Sequence, residues 1–130
     1  MPETLDTFLK MHIQSSSGPL NVDKMFRALS DRTRLRIVNL LRDGERCVCD
    51  LVEVLGVPQP AVSRHLAYLR DAGFVVGRKE GLWHHYRLVP ARRAFHRTLL
   101  ACVESCGSEV PELVEDAKQM RKIARRSCCD

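Results

Sequence analysis

The six cysteines of this 130-residue chain are the side chains with the clearest capacity for chemistry, and they fall into three close pairs. The pairs are Cys47-x-Cys49, Cys102-x3-Cys106 and Cys128-Cys129. None has the paired C-x2-C spacing of a structural zinc site or the C-x-x-C spacing of a redox motif. Because thiolates are good ligands for soft ions, the pattern predicts ligation of a soft metal or metalloid ion.

Cys47 and Cys49 are the leading ligand candidates because they lie at the predicted start of a helix. The unsatisfied N–H groups and the positive dipole end favour thiolates there, and Arg46 adds positive charge. Both flank Val48, which is predicted to be buried, so both thiols are expected to avoid the core. Residues i and i+2 of a helix point about 200° apart, so joint ligation is predicted to unwind or bend the first turn. The alternative is two small capping or packing residues.

Two amphipathic stretches around and after these cysteines are separated by a tight break. Apolar residues recur at helical spacing at Val48, Leu51, Val52 and Leu55, and again at Val62, Leu66 and Leu69. Gly56-Val57-Pro58 lies between them. This segment is predicted to separate two helices, because glycine ends a helix and proline prevents its continuation. This arrangement predicts a helix-turn-helix, whose second helix enters the DNA major groove.

The outward face of the second helix carries side chains that suit DNA. They are Gln59, Ser63 and Arg64, with His65, Tyr68 and Arg70 around them. Gln and Arg form paired hydrogen bonds with adenine and guanine edges, and Ser bonds with either. The alternative is that this is an ordinary solvent-exposed face of a helical bundle. The flanking segments must decide between the two interpretations.

A change of periodicity behind this helix predicts a β-hairpin. Phe74-Val75-Val76 begins a β-branched run, Lys79-Glu80-Gly81 is the predicted turn, and Trp83 to Leu88 alternates. Its basic residues are Arg78, Lys79 and Arg87. A small basic hairpin in this place is typical of the wing of a winged helix-turn-helix, whose cations lie along phosphate or in the adjacent minor groove. A plain structural hairpin is the alternative.

Helices are predicted on both sides of this unit. On the amino-terminal side, an apolar stripe predicts one helix, and Asp31 is the expected N-cap of the next. The stripe residues are Val22, Met25, Phe26 and Leu29. On the carboxyl-terminal side, a long helix from Ala91 has a narrow seam that suits pairing with a second subunit. The seam residues are Phe95, Leu99, Cys102 and Cys106. Gly107 is predicted to interrupt this helix and Ser108 to cap a last one.

Length and charge set the outer limits of the interpretation. The chain is expected to form one domain in three parts: an N-terminal helix and flexible joint (1–21), a winged helix-turn-helix with a dimer helix (22–106) and a C-terminal helical tail (107–130). The net charge of +5 suits a polyanionic partner. No apolar run approaches the roughly 20 residues that span a bilayer, and the N-terminus is unlike a secretory signal. A cytoplasmic location without a membrane partner is expected, where cysteines stay reduced.

With these features together, the chain resembles the ArsR/SmtB family of winged-helix, metal- and metalloid-responsive repressors. The matching segments are FRALSDRTRLRIVNLL (Phe26 to Leu41), CVCDLVEVLG (Cys47 to Gly56), PQPAVSRHLAYLRDAGFV (Pro58 to Val75) and GLWHHYRL (Gly81 to Leu88). CVCDL is most similar to the arsenite-responsive branch, in which As(III) or Sb(III) binds the cysteines and the repressor leaves its operator.

The resemblance implies a mainly α-helical homodimer with a small β-hairpin and with N- and C-terminal dimerisation helices. It implies a transcriptional repressor rather than an enzyme, double-stranded operator DNA as partner, As(III) or Sb(III) as inducer, and no organic cofactor. The expected DNA-binding residues are Gln59, Ser63, Arg64, His65, Tyr68, Arg78 and Lys79. Pro60 stands where other members have a hydrogen-bonding residue, so base contact there is not expected.

The identity of a third ligand stays open, because position 52 is Val where the fullest arsenite motif has a third cysteine. Either two thiols suffice with a solvent or exogenous thiol ligand, or another cysteine completes the site. The candidates are Cys102, Cys106, Cys128 and Cys129. His12 would suit Cd(II), Pb(II) or Zn(II), and thiol oxidation is a further alternative. The family's zinc-type site on the C-terminal helix is expected to be absent, because that helix has only His96 and Glu104 and no second histidine at the required spacing. A thiol-based metalloid carrier or small thiol enzyme is the hypothesis from another class.

Overall fold

The structure, a computed structural model, describes residues 20–123, which form six helices and three strands. The helices are α1 (Val22–Leu29), α2 (Arg32–Leu41), α3 (Val48–Leu55), α4 (Gln59–Asp71), α5 (Ala94–Glu109) and α6 (Pro111–Ile123). The strands are β1 (Arg46–Cys47), β2 (Val75–Glu80) and β3 (Trp83–Leu88). The predicted N-terminal helix, His12 and the pair Cys128-Cys129 lie outside the described residues. Within residues 20–123, no helix combines the length and apolar character needed to cross a membrane.

The start of α2 and the helix-turn-helix form as predicted, because short-range interactions specify them. The Asp31 carboxylate accepts a hydrogen bond from the Arg34 backbone N–H at 3.0 Å, which confirms the N-cap. Gly56 ends α3 in the left-handed conformation at φ 67°, which glycine adopts without strain. Most of the predicted apolar residues are buried in one core. These are Val48, Leu51, Leu55, Val62, Leu66 and Leu69, while Val52 is half-buried against them.

The wing is a three-stranded antiparallel sheet in the order β1-β3-β2. Strand β2 continues through Glu80, so the turn is Gly81-Leu82 rather than the predicted Lys79-Glu80-Gly81. Gly81 has φ 62°, a conformation typical of a tight hairpin turn. The third strand, β1, was not predicted, because two residues are too few to show an alternating pattern. Arg46 pairs with Tyr86 and Cys47 with His85, so the cysteine segment is part of the wing sheet.

The predicted break at Gly107 is wrong, since α5 continues to Glu109 and α6 begins at Pro111. Proline is well suited to the first turn of a helix, and it marks the boundary here. Ser108 does not cap α6, because its hydroxyl donates to the Ser105 carbonyl at 3.0 Å. Gly107 has a packing role instead: a Cβ atom there would lie 2.5 Å from Asn39 Oδ1 and 2.6 Å from Arg42 Nη1.

Gly107→Ala is therefore expected to lower the free energy of unfolding by about 1 kcal/mol. Overpacking against the buried Asn39 costs about 1–3 kcal/mol, and the better helix propensity of alanine returns up to about 1 kcal/mol. Urea denaturation measures the difference. Ser108→Ala, at an exposed position of the same helix, is the control. A Gly107→Ala protein more stable than the wild type would contradict this packing role.

The residues of the predicted subunit seam on α5 have different environments within the chain. Leu99 and Val103 are buried in the core of their own chain, whereas Cys102 is exposed and Cys106 half-buried. The reason is α6, which folds back and contacts α5, α2 and α3. Its anchor is the Asp116 carboxylate, which accepts from Arg36 Nε at 2.7 Å and from Arg36 Nη2 at 2.9 Å. One face of α5 therefore packs against other helices of its own chain.

Candidate thiol site and DNA-reading face

The two proximal cysteines meet at the junction of β1 and α3. Cys47 is the N-cap residue of α3, with extended backbone at φ −73° and ψ 144°, and Cys49 lies in the first helical turn. Their sulfur atoms are 3.0 Å apart. The expected separation by helix geometry does not apply, because Cys47 precedes the helix. The geometric reason for predicting that joint ligation unwinds the first turn therefore does not hold.

The burial of the pair also differs from the prediction. Cys47 is only 5% exposed, while Cys49 is half-buried. The expectation that both thiols avoid the core is wrong for Cys47, because strand pairing with β3 turns this residue inward.

The sulfur separation suits a shared soft ion. At a metal–sulfur distance of about 2.3 Å, two thiolates on a tetrahedral ion lie roughly 3.8 Å apart. The observed 3.0 Å is within about 1 Å of that value. Binding of one ion by both sulfurs thus needs a small adjustment at the β1–α3 junction rather than loss of a helical turn.

A cavity of about 310 Å³ opens beside the sulfur atoms. One wall contains Cys47, Val48 and Cys49. The other walls contain Gln59 and Ser63 of α4, and residues of the wing between Leu82 and Tyr86. The Cys47 and Cys49 sulfurs, the start of the second helix and the wing therefore share one space.

The other sequence-predicted ligands are dispersed. Within residues 20–123, no group of three or more His, Cys, Asp or Glu side chains is placed to hold a metal ion. His96 is buried edge-on against the Phe74 ring, and burial lowers the pKa of its imidazole. Glu104 lies 3.7 Å from Arg42 Nη2 on the exposed side of α5. His96 and Glu104 thus contact different neighbours.

The predicted reading residues of α4 separate into two groups. Gln59, Ser63 and Arg64 are exposed, and Gln59 Nε2 donates to the Ser63 hydroxyl at 2.8 Å. His65 and Tyr68 are half-buried and lie against Arg34 of α2. The Arg34 guanidinium is 4.1 Å from the centre of the Tyr68 ring, and its Nη1 is 3.4 Å from His65 Nδ1.

Arg34 is a residue that sequence reasoning missed. Its Nε donates to the Ala28 carbonyl at 2.8 Å and its Nη2 to the Arg27 carbonyl at 3.1 Å, so it joins the end of α1 to α4. Cation–π stacking and charge-assisted hydrogen bonds together fix the guanidinium plane. His65 and Tyr68 thus take part in orienting α4, and no local pattern in the sequence indicates this contact.

The two predicted wing cations have different surroundings. Lys79 is exposed. Arg78 donates from Nη2 and Nε to the two carboxylate oxygens of Glu45 at 2.7 and 2.9 Å, and from Nη1 to Glu80 at 3.1 Å. The hydrogen bond from Arg78 lowers the pKa of the Glu45 carboxyl, and the two carboxylates raise that of Arg78.

The described residues place the exposed polar face of α4 next to a β-hairpin wing, which defines a winged-helix DNA-binding regulator, here with two cysteine sulfurs beside the hairpin. Residues 31–76 match the family described as "Bacterial regulatory protein, arsR family". Over 106 residues the chain is 42% identical to the "Arsenical resistance operon repressor" of Escherichia coli (strain K12), covering 81% of this chain and 86% of that protein.

Two further comparisons indicate the same class of protein. Identity with the "Arsenic resistance transcriptional regulator ArsR1" of Pseudomonas putida is 49% over 103 residues, covering 78% of this chain and 79% of that protein. A homodimeric winged helix-turn-helix domain, Mb0332 of Mycobacterium bovis, superposes with a TM-score of 0.57 at 27% identity, covering 86% of this chain and 92% of that one. The chain belongs to the ArsR family of bacterial regulatory proteins and is a winged-helix transcriptional repressor.

Proposed function

We propose that this protein represses a metalloid-resistance operon and leaves its operator when As(III) or Sb(III) binds Cys47 and Cys49. The observation that carries the proposal is the sulfur pair, 3.0 Å apart at the junction of β1 and α3. The names of two arsenic-resistance relatives support the choice of inducer. The shared cavity supports the coupling, since ligation occurs next to Gln59 and Ser63 of the reading helix.

We propose that two copies bind DNA together. The aromatic ring of Phe26 on α1 is edge-on to Phe95 on α5 at 5.4 Å, yet Phe26 remains 53% exposed. An apolar surface shared by the first and fifth helices suits a partner subunit. The homodimeric relative supports this arrangement. A two-fold dimer would present its two α4 helices about one DNA turn, roughly 34 Å, apart.

We propose that the C-terminal pair Cys128-Cys129 supplies the third thiol from the same chain. Helix α6 contacts α3, and Ile123 at its end belongs to the core cluster that includes Val48. Cys128 follows Ile123 by five residues, and five extended residues span up to about 17 Å. Cys102 is not proposed as the third ligand, because it is exposed on α5.

The proposal is tested by a gel shift on DNA upstream of the regulated operon, titrated with arsenite, antimonite, cadmium, zinc and a mild oxidant. Release by arsenite or antimonite at lower concentrations than by the divalent ions is expected. Preferential release by cadmium or zinc would identify a divalent-metal sensor. Release by the oxidant alone would identify a thiol-redox sensor, and either result would overturn the proposed inducer.

Arg64→Ala is expected to weaken specific operator binding by about 1–3 kcal/mol, because an exposed Arg on the reading helix can bond both acceptors of a guanine. Affinities for operator and scrambled duplex, measured at one salt concentration, separate base reading from phosphate attraction. Arg70→Ala, at the far end of the same helix, is the matched control and is expected to affect both duplexes alike. Specific affinity within about 1 kcal/mol of wild type would remove Arg64 from the reading face.

A further inference from the structure

The Arg78 guanidinium has an arrangement unlike that of a phosphate anchor. It makes a two-point ion pair with Glu45, in the loop before β1, and a further one with Glu80. His85 Nε2 also lies 3.7 Å from the Glu80 carboxylate. One cation between two carboxylates leaves no local excess of positive charge, so its attraction to DNA phosphate is weakened while Arg78 holds Glu45 and Glu80.

The same ion pair joins the two parts that the proposed function must couple. Glu45 is two residues before Cys47, whose backbone pairs with His85 in β3. Arg78 lies on β2 and is paired with that same His85 across the hairpin. The cysteine strand is therefore connected to the wing twice, through the β1–β3 backbone pairing and through the Glu45–Arg78 side chains.

We propose that Arg78 positions the wing by holding Glu45, and that this ion pair transmits movement at Cys47 to the wing when the inducer binds. The inference rests on the proposed function and specifies its regulation. Ligation moves Cys47 by a small distance, and a strand in a sheet transfers such a shift to its partner strand. The bidentate geometry resists rotation between Glu45 and Arg78, so the wing follows the cysteine strand.

A charge-matched double variant, Glu45→Gln with Arg78→Gln, isolates this role because it leaves the net charge unchanged. Its matched control is Asp43→Asn with Lys79→Gln, which makes the same charge changes at exposed positions nearby. Thermal unfolding of both variants establishes that they are folded. Operator affinity is then measured across a range of salt concentrations, first without arsenite and then with it.

Without arsenite, Glu45→Gln/Arg78→Gln is expected to retain the wild-type salt dependence. The Lys79 control is expected to lose about 0.9 from the slope of log affinity against log salt for each phosphate contact removed. With arsenite, the loss of operator affinity is expected to be about twofold to thirtyfold smaller in the Glu45/Arg78 variant than in wild type, and unchanged in the control. Fluorescence of Trp83, the single tryptophan of the chain, reports the wing directly and should respond less to arsenite in the Glu45/Arg78 variant.

The outcomes separate the two proposals. If arsenite releases the wild type and the Glu45/Arg78 variant equally, the ion pair does not transmit the signal, and the inference is wrong while the proposed function stands. If arsenite fails to release the wild type, the proposed function is wrong, and the salt dependence alone decides the role of Arg78. A slope reduced by about 0.9 or more in the Glu45/Arg78 variant would identify Arg78 as a phosphate anchor and overturn the inference.

Discussion

Cys47→Ser is expected to leave operator binding close to wild type and to abolish its loss on addition of arsenite. Serine fills nearly the same volume in the buried position but offers a hard oxygen, which is a poor ligand for a soft ion. An effector of this kind changes affinity by about 5- to 150-fold in wild-type proteins. In the variant, the affinities with and without arsenite are expected to agree within about twofold. Fluorescence anisotropy of a labelled operator measures both.

Three companion variants make this test specific. Cys49→Ser is expected to behave like Cys47→Ser, because the proposed function assigns both sulfurs to the same ion. Cys102→Ser, at an exposed position of α5, is the matched control and should respond normally. The double change Cys128→Ser/Cys129→Ser should shift the arsenite titration to higher concentration. Full release of Cys47→Ser by arsenite, together with loss of response in the C-terminal variant alone, would place the site elsewhere.

Asp116→Ala is expected to lower the free energy of unfolding by about 3–5 kcal/mol. The Arg36 and Asp116 side chains are 13% and 5% exposed, so removing the carboxylate leaves a nearly buried guanidinium without its bidentate partner. The hydrogen bonding of Arg36 to the Asp116 carboxylate is also the main cause of the raised pKa of Arg36. Urea denaturation followed by circular dichroism measures the loss.

The neighbouring carboxylate provides the control. Glu112 lies 3.1 Å from Arg32 Nη1 and 3.7 Å from Arg36 Nη1, but its side chain is 43% exposed. Exposed ion pairs contribute about 0–1 kcal/mol, so Glu112→Ala should have a small effect. Replacing both buried partners, as in Arg36→Met/Asp116→Ala, should recover much of the stability, since no unpaired charge remains. Equal losses for Asp116→Ala and Glu112→Ala would contradict the importance of burial at this pair.

The cysteine sulfurs, α4 and the wing lie close together. Under the proposed function, ligation at Cys47 would act on a strand of the wing sheet, and the cavity beside the sulfurs includes Gln59 and Ser63 of α4. A small shift at this junction can therefore change the spacing between wing and helix. Each 1.4 kcal/mol of preference of the inducer for the DNA-free conformation lowers operator affinity about tenfold.

The amino-acid sequence by itself determined the features that depend on neighbours along the chain. The Asp31 cap, the left-handed Gly56 and the apolar stripes of α3 and α4 were predictable, because each involves residues within about two helical turns. The same local logic failed at Gly107, where glycine permits close packing against Asn39 instead of ending the helix.

Only the tertiary structure decided the contacts between distant segments. Arg36 and Asp116 are 80 residues apart, and Glu45 and Arg78 are 33 apart, so no periodicity relates them. Cys47 could be identified as a ligand candidate, but its inward position depends on pairing with His85 of β3. The cysteines could thus be identified as ligand candidates from residue type and spacing. Their geometry could not, because it is set by long-range strand pairing.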